Sequence, residues 1–517
     1  MKLLDYAFQT TTEYINKMPK TLRKKYGQFF TSKETASFMA SLFNIPKNRM
    51  HLDILDPGAG SGILSIALIE YLQEHSEALE IHLVCYENDV NIVHLLNENL
   101  KWCCTHSTLK ITYEIKEDNY ILSQMLDYNG MLGANPTPQK FDLVIGNPPY
   151  IKIPKDAPEA LAMPDVCYGA PNLYFLFASM GLFNLTQDGE LVFIIPRSWT
   201  SGAYFKRFRQ KLFNECVLEK IHLFVSRDKV FDKESVLQET IIIKARKTSV
   251  KPQYVQITTT NSNHDFSDIT IFDAPYNIVV SSQDSYVYLV TNQQGVDTLD
   301  LLNCWSETLP SVGLKMKTGL TVDFRNRDAL RSSAEDKAVP LFYSQHIQNG
   351  RVLFPIGKDN EYILTEQKGL LQENANYLFV KRFTAKEEHR RLQCGVYLAK
   401  KHPEYTRVST QNKINFIGGL RELSECIVYG LYVIFNSTLY DNYYRILNGS
   451  TQVNSTEVNS MPVPTIEVIE DMGKTFIKDK DLSENSCDQI LRSFIYEQKR
   501  GSKGNIGRIA SASQTAN

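Results

Sequence analysis

The sequence lacks the features of a membrane protein or of a protein from an oxidising compartment. No apolar segment approaches the length of a membrane span, and residues 1–20 contain no uninterrupted apolar core like that of a signal peptide. The nine cysteines are odd in number and include no Cys-x-x-Cys pair, so neither a disulfide framework nor a zinc site is indicated. We therefore expect a cytoplasmic protein that holds no metal and binds no membrane.

The chain also lacks an overall basic charge. Its formal net charge is -2 and its pI is about 6.6. Any contact with nucleic acid must then come from local basic patches, because the field of the whole protein carries no basic signature. A length of 517 residues, without internal repeats, suggests roughly two to four domains.

Hydrophobic patterning predicts an α/β fold in the first half of the chain. Short aliphatic segments alternate there with segments whose apolar residues recur at helical spacing. The aliphatic segments are HLDILD, EIHLVCYE, FDLVIGN, ELVFIIP and QETIIIKA, and the helical ones are TASFMASLF, ILSIALIEYL and NLYFLFASMGLF. This alternation predicts a mostly parallel sheet with helices on both faces. We place this domain at residues 1–250, a mixed α/β domain at 251–485, and a helix with a disordered tail at 486–517.

A glycine-rich loop follows the first predicted strand. In LDILDPGAGSGILSIAL, Gly58, Gly60 and Gly62 let the backbone approach a ligand at the start of a helix. Glu87 ends the next strand, at the place where an acidic side chain binds ribose hydroxyls. The loop lacks the Gly-Lys-Ser/Thr of a phosphate cradle and departs from the G-x-G-x-x-G of dinucleotide-binding proteins. A purely structural turn is the alternative.

A second loop, in FDLVIGNPPYI, ends a later strand abruptly. Pro148 and Pro149 remove two backbone donors and prevent further strand pairing. The turn presents the Asn147 amide oxygen, the Pro148 carbonyl and the ring of Tyr150 to solvent. An ordinary Asn-Pro turn is again the alternative.

In combination these motifs resemble those of the S-adenosylmethionine-dependent DNA adenine-N6 methyltransferases of type II restriction-modification systems. The resemblance covers about residues 20–245. The order of cofactor loop, catalytic motif and C-terminal recognition region resembles the gamma arrangement of that family. It implies a Rossmann-like methyltransferase domain, a target-recognition domain, double-stranded DNA as the substrate and S-adenosylmethionine as the cofactor.

The resemblance also implies which residues bind the cofactor. Thr31, in KKYGQFFTSKETASFM, would lie near the carboxylate of the methionine moiety. Glu87 would bind the ribose, and Asp118 would accept a hydrogen bond from the adenine amino group of the cofactor. The full set is Thr31, Asp56, Gly58, Gly60, Glu87 and Asp118.

The catalytic role of the second loop follows from the chemistry of an exocyclic amine, whose lone pair is delocalised into the ring. Asn147 and the Pro148 carbonyl would each accept one N–H hydrogen bond and localise that lone pair. Pro149 would stiffen the turn, and Tyr150 would stack on a base withdrawn from the duplex. By resemblance, Phe231 would cover the other face of the base, although a core position is the alternative. We assign Asn172 and Tyr174 mostly to the scaffold and the pocket wall.

Three basic clusters are candidates for contact with DNA. Two lie in the expected recognition domain and one in the catalytic domain, and ordinary solvated surface is the alternative for each. They are Lys315, Lys317, Arg325, Arg327 and Arg331; Lys381, Arg382, Lys386, Arg390 and Arg391; and Lys206, Arg207, Arg209 and Lys211. The segment NGSTQVNSTEVNSMPVP resembles a stretch near the C-terminus of several such methylases, but its residue chemistry indicates no role.

Other activities use the same motif. Asn-Pro-Pro-Tyr also occurs in enzymes that methylate protein glutamine or exocyclic amines of RNA. By resemblance, those enzymes are shorter chains that lack a downstream recognition domain of this size. A non-catalytic DNA-binding subunit is a further alternative, against which the intact motifs argue. For a fused nuclease, we identify no acidic-x-Lys nuclease cluster in a suitable extra domain. We expect a monomer that works beside a separately encoded restriction endonuclease.

Overall fold

The structure, a computed structural model, describes most of the chain and divides it into two compact units, residues 1–292 and 293–517. The described residues are 1–17, 19, 31–45, 49–75, 80–131, 133, 137–224, 240–262, 266–282, 285–385, 387–449, 451–479 and 481–512, with the backbone alone for 501–512.

The first unit is built on a nine-stranded sheet in the order β3-β2-β1-β4-β5-β7-β6-β8-β9. Its strands are β1 (His51–Asp56), β2 (Glu80–Tyr86), β3 (Lys110–Lys116), β4 (Phe141–Gly146), β5 (Leu185–Pro196), β6 (Val217–Phe224), β7 (Thr240–Arg246), β8 (Tyr254–Thr260) and β9 (Thr270–Pro275). The five strands from β3 to β5 pair in parallel, whereas β7 runs antiparallel to both β5 and β6. The predicted α/β class with a mostly parallel sheet is confirmed.

Helices of the first unit cover this sheet. They are α1 (Leu3–Lys17), α2 (Lys33–Ser41), α3 (Ile63–His75), α4 (Val90–His106), α5 (Tyr120–Ser123), α6 (Met125–Tyr128), α7 (Pro158–Ala162), α8 (Leu173–Asn184), α9 (Lys206–Glu215) and α10 (Tyr276–Val279). Two short 3₁₀ helices, Arg197–Thr200 and Ala203–Phe205, follow β5. The sheet needs cover on both faces because its central strands contain apolar runs, such as Leu143, Val144 and Ile145, all of which are buried.

The register of the parallel strands brings the candidate site together. Asp56 lies beside Cys85 across β1 and β2, and Leu55 lies beside Val144 across β1 and β4. Parallel strands present their carboxyl ends at one edge of the sheet, which is where ligands bind in open α/β folds. The loops after β1, β2 and β4 therefore share that edge.

The second unit contains two mixed sheets and a group of helices. The sheets have the orders β10-β20-β17-β18-β14-β13 and β11-β15-β12-β19-β16. The strands are β10 (Leu314–Thr318), β11 (Leu330–Arg331), β12 (Val339–Phe342), β13 (Ile347–Gln348), β14 (Arg351–Val352), β15 (Tyr362–Ile363), β16 (Gln372–Glu373), β17 (Tyr377–Lys381), β18 (Cys394–Tyr397), β19 (Arg407–Thr410) and β20 (Ile414–Gly419). The helices are α11 (Gln293–Leu302), α12 (Glu425–Phe435), α13 (Thr438–Leu447), α14 (Ser455–Ser460), α15 (Ile466–Asp479) and α16 (Glu484–Ala512).

The boundary between the units differs from the one expected near residue 250. Strands β8 and β9 extend the sheet of the first unit, so that unit ends at Asn292. At the other end of the chain, α16 continues through residues that we expected to be disordered. No proline interrupts that segment, and adding a residue to an existing helix is easier than starting a new one.

The second basic cluster is only partly a surface feature. Arg391 is buried and donates to the Thr384 hydroxyl at 3.2 Å, and Arg390, which is also buried, pairs with Glu484 at 3.2 Å. These two residues stabilise the fold, so the prediction that they contact DNA is wrong; Lys386 lies outside the described residues. In the first cluster, Lys315, Lys317, Arg325 and Arg327 are exposed.

The Asn- and Ser-rich segment near the C-terminus has structural roles. Asn459 hydrogen-bonds both backbone groups of Met316 in β10, at 2.8 and 3.0 Å, and Asn454 caps α14.

Within the part of the chain that the structure describes, no helix has the length and apolar character needed to cross a membrane.

Candidate active site

The glycine loop between β1 and α3 adopts a backbone that favours glycine. Gly60 and Gly62 have φ values of +54° and +86°, a region that other residues rarely occupy. The Gly60 amide donates to Glu87 Oε2 at 2.9 Å, which ties the loop to the end of β2. A Cβ on Gly58 would lie 3.6 Å from the Phe177 ring, so only a narrow space separates this backbone from an aromatic wall.

Asp56 lies at the end of β1 and is fully buried. Its Oδ2 accepts a hydrogen bond from the Ser65 hydroxyl at 2.7 Å, whereas Oδ1 has no hydrogen-bond partner among the described residues. Burial raises the pKa of Asp56 to about 7, against the opposing effect of the Ser65 hydroxyl and the Gly58 amide. A buried oxygen that lacks a donor suits a site completed by the amino group of a ligand.

Glu87 is held rigidly in the loop after β2. Besides the Gly60 amide, the amide of Asp89 donates to Glu87 Oε1 at 2.9 Å. Burial raises the pKa of Glu87, and the two amides oppose the rise. Each carboxylate oxygen can accept a second hydrogen bond, so the fixed side chain suits a pair of ribose hydroxyls.

Asp118 lies in the exposed loop after β3, at the same edge of the sheet as Asp56 and Glu87. Its neighbour Asn119 caps α5 by accepting from the amides of Ile121 and Leu122. The carboxylate of Asp118 is therefore solvent-accessible, and its proposed contact with the cofactor remains a prediction.

The catalytic motif lies in the loop after β4, where its amide is oriented by two hydroxyl groups. Asn147 Nδ2 donates to the Thr31 hydroxyl at 3.1 Å, and Asn147 Oδ1 accepts from the Tyr150 hydroxyl at 2.9 Å. The Tyr150 hydroxyl also lies 3.0 Å from the Ile194 carbonyl, a second acceptor. The residue expected at the methionine end of the cofactor thus contacts the candidate catalytic amide directly.

The remainder of the turn is anchored to the start of α8. The Leu173 amide donates to the Ile151 carbonyl at 2.8 Å, and the Ile153 amide donates to the Pro171 carbonyl at 2.9 Å. The Tyr174 ring stands edge-on to Tyr150 with centroids 6.2 Å apart. Tyr174 is buried in the wall behind the motif, and Pro148 and Pro149 precede this anchored segment.

Two further residues belong to the site although the sequence did not point to them. Ser65 is the donor to Asp56, and its only signal is a hydroxyl within the apolar first half of the helix, ILSIALI. Phe177 faces Gly58 from α8, within a run of apolar residues that carries no distinguishing pattern. Phe231 lies outside the described residues, so its role stays a prediction.

The cluster on α9 is mostly structural. Arg209 is buried and donates to the carbonyls of Trp199 and Gly202 at 2.9 and 2.8 Å. Arg207 donates to the carbonyls of Pro164 and Cys167, and Lys211 pairs with acidic side chains. These contacts account for three of the four basic residues without DNA.

Comparison with known proteins gives consistent results. Residues 66–231 match the family described as the Eco57I restriction-modification methylase. The chain is 33% identical to the type II methyltransferase M.PstI of Providencia stuartii over 92% of its own length and 94% of that protein. It is 34% identical to the type II methyltransferase M.BsuBI of Bacillus subtilis, over 92% and 95% of the two chains.

A solved structure shares the fold. The type IIL restriction-modification enzyme MmeI, determined in complex with DNA, matches with a TM-score of 0.52 and 13% identity over 96% of this chain and 74% of that one. The expected methyltransferase fold and S-adenosylmethionine cofactor agree with these relatives and with the carboxylate acceptors that Asp56 and Glu87 place at this edge of the sheet. The chain belongs to the S-adenosylmethionine-dependent methyltransferases of type II restriction-modification systems.

Proposed function

We propose that this protein transfers a methyl group to the N6 amino group of adenine at a specific sequence in double-stranded DNA. The observation that carries the proposal is the Asn147 amide, which Thr31 and Tyr150 orient at the end of β4. The two prolines beside it contribute carbonyl acceptors and no backbone donors. Such a turn suits a substrate nitrogen that donates its hydrogens to acceptors.

The residues of the turn would increase the reactivity of a weak nucleophile. Asn147 Oδ1 accepts from Tyr150 and can accept a second hydrogen bond from the amine, while the Pro148 carbonyl accepts the other N–H. Both contacts localise the nitrogen lone pair. S-adenosylmethionine supplies an electrophilic methyl group when it is bound. Acceptors fixed in advance also stabilise positive charge that develops on the nitrogen.

The amine is inaccessible inside a duplex, so the target adenine must leave the base stack. The Tyr150 ring, held by its hydroxyl and by the edge-on contact with Tyr174, would support one face of the extruded base. Phe231 would cover the other face, as the family resemblance implies.

Thr31, Asp56, Gly58, Gly60, Glu87 and Asp118 would hold the cofactor. The unpartnered Oδ1 of Asp56 suits the cofactor's amino group, and the two-point support of Glu87 suits the ribose. The second unit would read the DNA sequence, and its exposed residues Lys315 and Lys317 on β10 would contact phosphates.

The same proposal covers the biological setting. The two relatives are type II methyltransferases of bacteria, and the modification would protect host DNA in the cytoplasm from an endonuclease that is encoded separately. The protein would act as a monomer on double-stranded DNA.

The test is incubation of the protein with S-adenosylmethionine and unmethylated genomic DNA, followed by single-molecule sequencing of the product. We expect N6-methyladenine at one short recognition sequence and nowhere else. Methylation of cytosine-N4, or of RNA or protein glutamine in place of DNA in matched assays with labelled cofactor, would overturn the assignment.

A further inference from the structure

Two exposed tyrosines lie near the catalytic turn and serve no role in the core. The side chains of Tyr168 and Tyr204 are 58% and 59% exposed, and their ring centroids are 6.2 Å apart. Tyr168 lies between α7 and α8, and Tyr204 lies in the 3₁₀ helix before α9. A single exposed aromatic residue is common, but here two separate segments of the chain present adjacent rings to solvent.

A cation accompanies the pair. Lys152 Nζ lies 5.9 Å from the centroid of the Tyr204 ring, and Lys152 is exposed. Lys152 follows the catalytic Tyr150 by two positions, and it forms no ion pair with a carboxylate among the residues that the structure describes. We name Lys152, Tyr168 and Tyr204 the tyrosine surface.

The tyrosine surface is connected to the catalytic turn through packed rings. Phe205, adjacent to Tyr204, stacks on Tyr174 with centroids 5.9 Å apart, and Tyr174 contacts Tyr150. Lys152 pairs with Asn172 across an isolated β-bridge. The surface is therefore positioned by the same residues that position Tyr150.

The segment that carries Tyr168 is also fixed. Arg207 donates to the carbonyls of Pro164 and Cys167 at 3.1 and 2.8 Å, immediately before Tyr168. Gly169, with φ of +76°, brings its backbone under the Tyr204 ring, and a Cβ there would lie 3.5 Å from that ring. The rings are thus preorganised, which reduces the entropy lost when they bind a partner.

We propose that the tyrosine surface binds the DNA strand that carries the target base, at nucleotides flanking that base. Aromatic rings with a neighbouring cation suit nucleic acid, because every base has a face on which a ring can stack and every nucleotide carries a phosphate. Lys152 is exposed and its Nζ lies beside the Tyr204 ring, so it is placed to contact a phosphate of a strand that stacks there. This inference rests on the proposed DNA methyltransferase activity and adds to it a contact outside the base pocket.

The experiment uses the full-length protein and a duplex oligonucleotide that contains the recognition sequence mapped by sequencing. Tyr168→Ala and Tyr204→Ala should each weaken duplex binding by roughly fivefold or more through lost stacking. Cofactor affinity should stay unchanged, and Tyr204→Phe should bind like the wild type because it keeps the ring. Lys152→Gln should reduce the slope of log affinity against log salt by about 0.9, the value for one phosphate contact.

Tyr254→Ala is the matched control, because Tyr254 is a 46% exposed tyrosine on β8, far along the sheet from the catalytic turn. If both alanine variants bound and methylated DNA like this control, the inference would be overturned while the proposed function stood. If the wild-type protein methylated no DNA, the proposed function would fail and this inference with it. Circular dichroism and cofactor titration of each variant separate lost binding from lost folding, and Lys152→Gln tests the same surface without removing a ring.

Discussion

Replacing Thr31 by valine should lower turnover more than it lowers cofactor affinity. Thr31 is 8% exposed, and its hydroxyl is the acceptor for Asn147 Nδ2 at 3.1 Å. Valine keeps nearly the same volume and removes this acceptor. The Tyr150 hydroxyl can donate to Asn147 Oδ1 or to the Ile194 carbonyl, so it does not by itself decide which end of the Asn147 amide faces the substrate.

The expected magnitude follows from the loss of one neutral hydrogen bond. Such a bond contributes about 0.5–1.5 kcal/mol, which corresponds to a decrease in kcat of roughly 2- to 12-fold. If Thr31 acted only by contacting the carboxylate of the cofactor, Thr31→Val would instead weaken cofactor binding and leave kcat at saturating cofactor nearly unchanged.

The assay is steady-state methylation of a duplex substrate at saturating cofactor, with cofactor affinity measured separately by calorimetry. Thr31→Ser retains a hydroxyl and should restore most of the turnover. A valine variant with wild-type kcat and weaker cofactor binding would refute the positioning role and leave Thr31 as a cofactor contact alone.

Three other outcomes are expected. Asn147→Ala should lower kcat by about 10²–10³-fold, because the variant loses a preorganised hydrogen bond to the nitrogen on which positive charge develops. Calorimetry should show normal cofactor binding. Near-normal turnover would disprove the role of the turn. The pKa of Asp56, about 7 when folded against 3.8 as the ordinary value, means that only the folded state keeps this proton between those pH values. The contribution of Asp56 to stability therefore falls as pH rises from about 4 to 7. Asp56→Asn should gain stability relative to the wild type over that same pH range in urea denaturation; parallel curves would contradict this. Gly473→Ala should destabilise the protein by about 1–3 kcal/mol, because its Cβ would lie 1.7 Å from the Cys426 carbonyl oxygen of α12. The control is Gly369→Ala, whose Cβ meets nothing within 4 Å and which should change stability little. Equal effects of the two substitutions in denaturation would show that α12 and α15 move apart without a cost in stability.

The strands that the sequence predicted are those that contain a run of consecutive apolar residues. FDLVIGN corresponds to β4 and ELVFIIP to the second half of β5, because the parts of a strand that are covered on both faces are apolar on both faces. Strands β3, β6, β8 and β9 of this sheet were not predicted. β3 lies at the edge of the sheet with alternating exposure, and β6 includes the buried His222, which hydrogen-bonds Thr258 and Thr260.

Charge patterns were less informative than apolar patterns. A run of lysines and arginines does not show which side chains are buried, because burial depends on partners elsewhere in the chain. Arg391 donates hydrogen bonds to the side chains of Thr384 and Asn448, and Arg209 donates to the carbonyls of Trp199 and Gly202. Both arginines therefore stabilise the fold.

The sequence by itself determined the local chemistry of this protein: the glycines after β1, the acid after β2 and the proline turn after β4 are properties of consecutive residues. Only the tertiary structure decided which distant groups meet. The hydrogen bond from Asn147 to Thr31 spans 116 positions, and Gly430 and Gly473 lie where α12 and α15 approach so closely that neither position has space for a Cβ. Such contacts depend on how whole elements pack, and residue type at one position does not specify its partner.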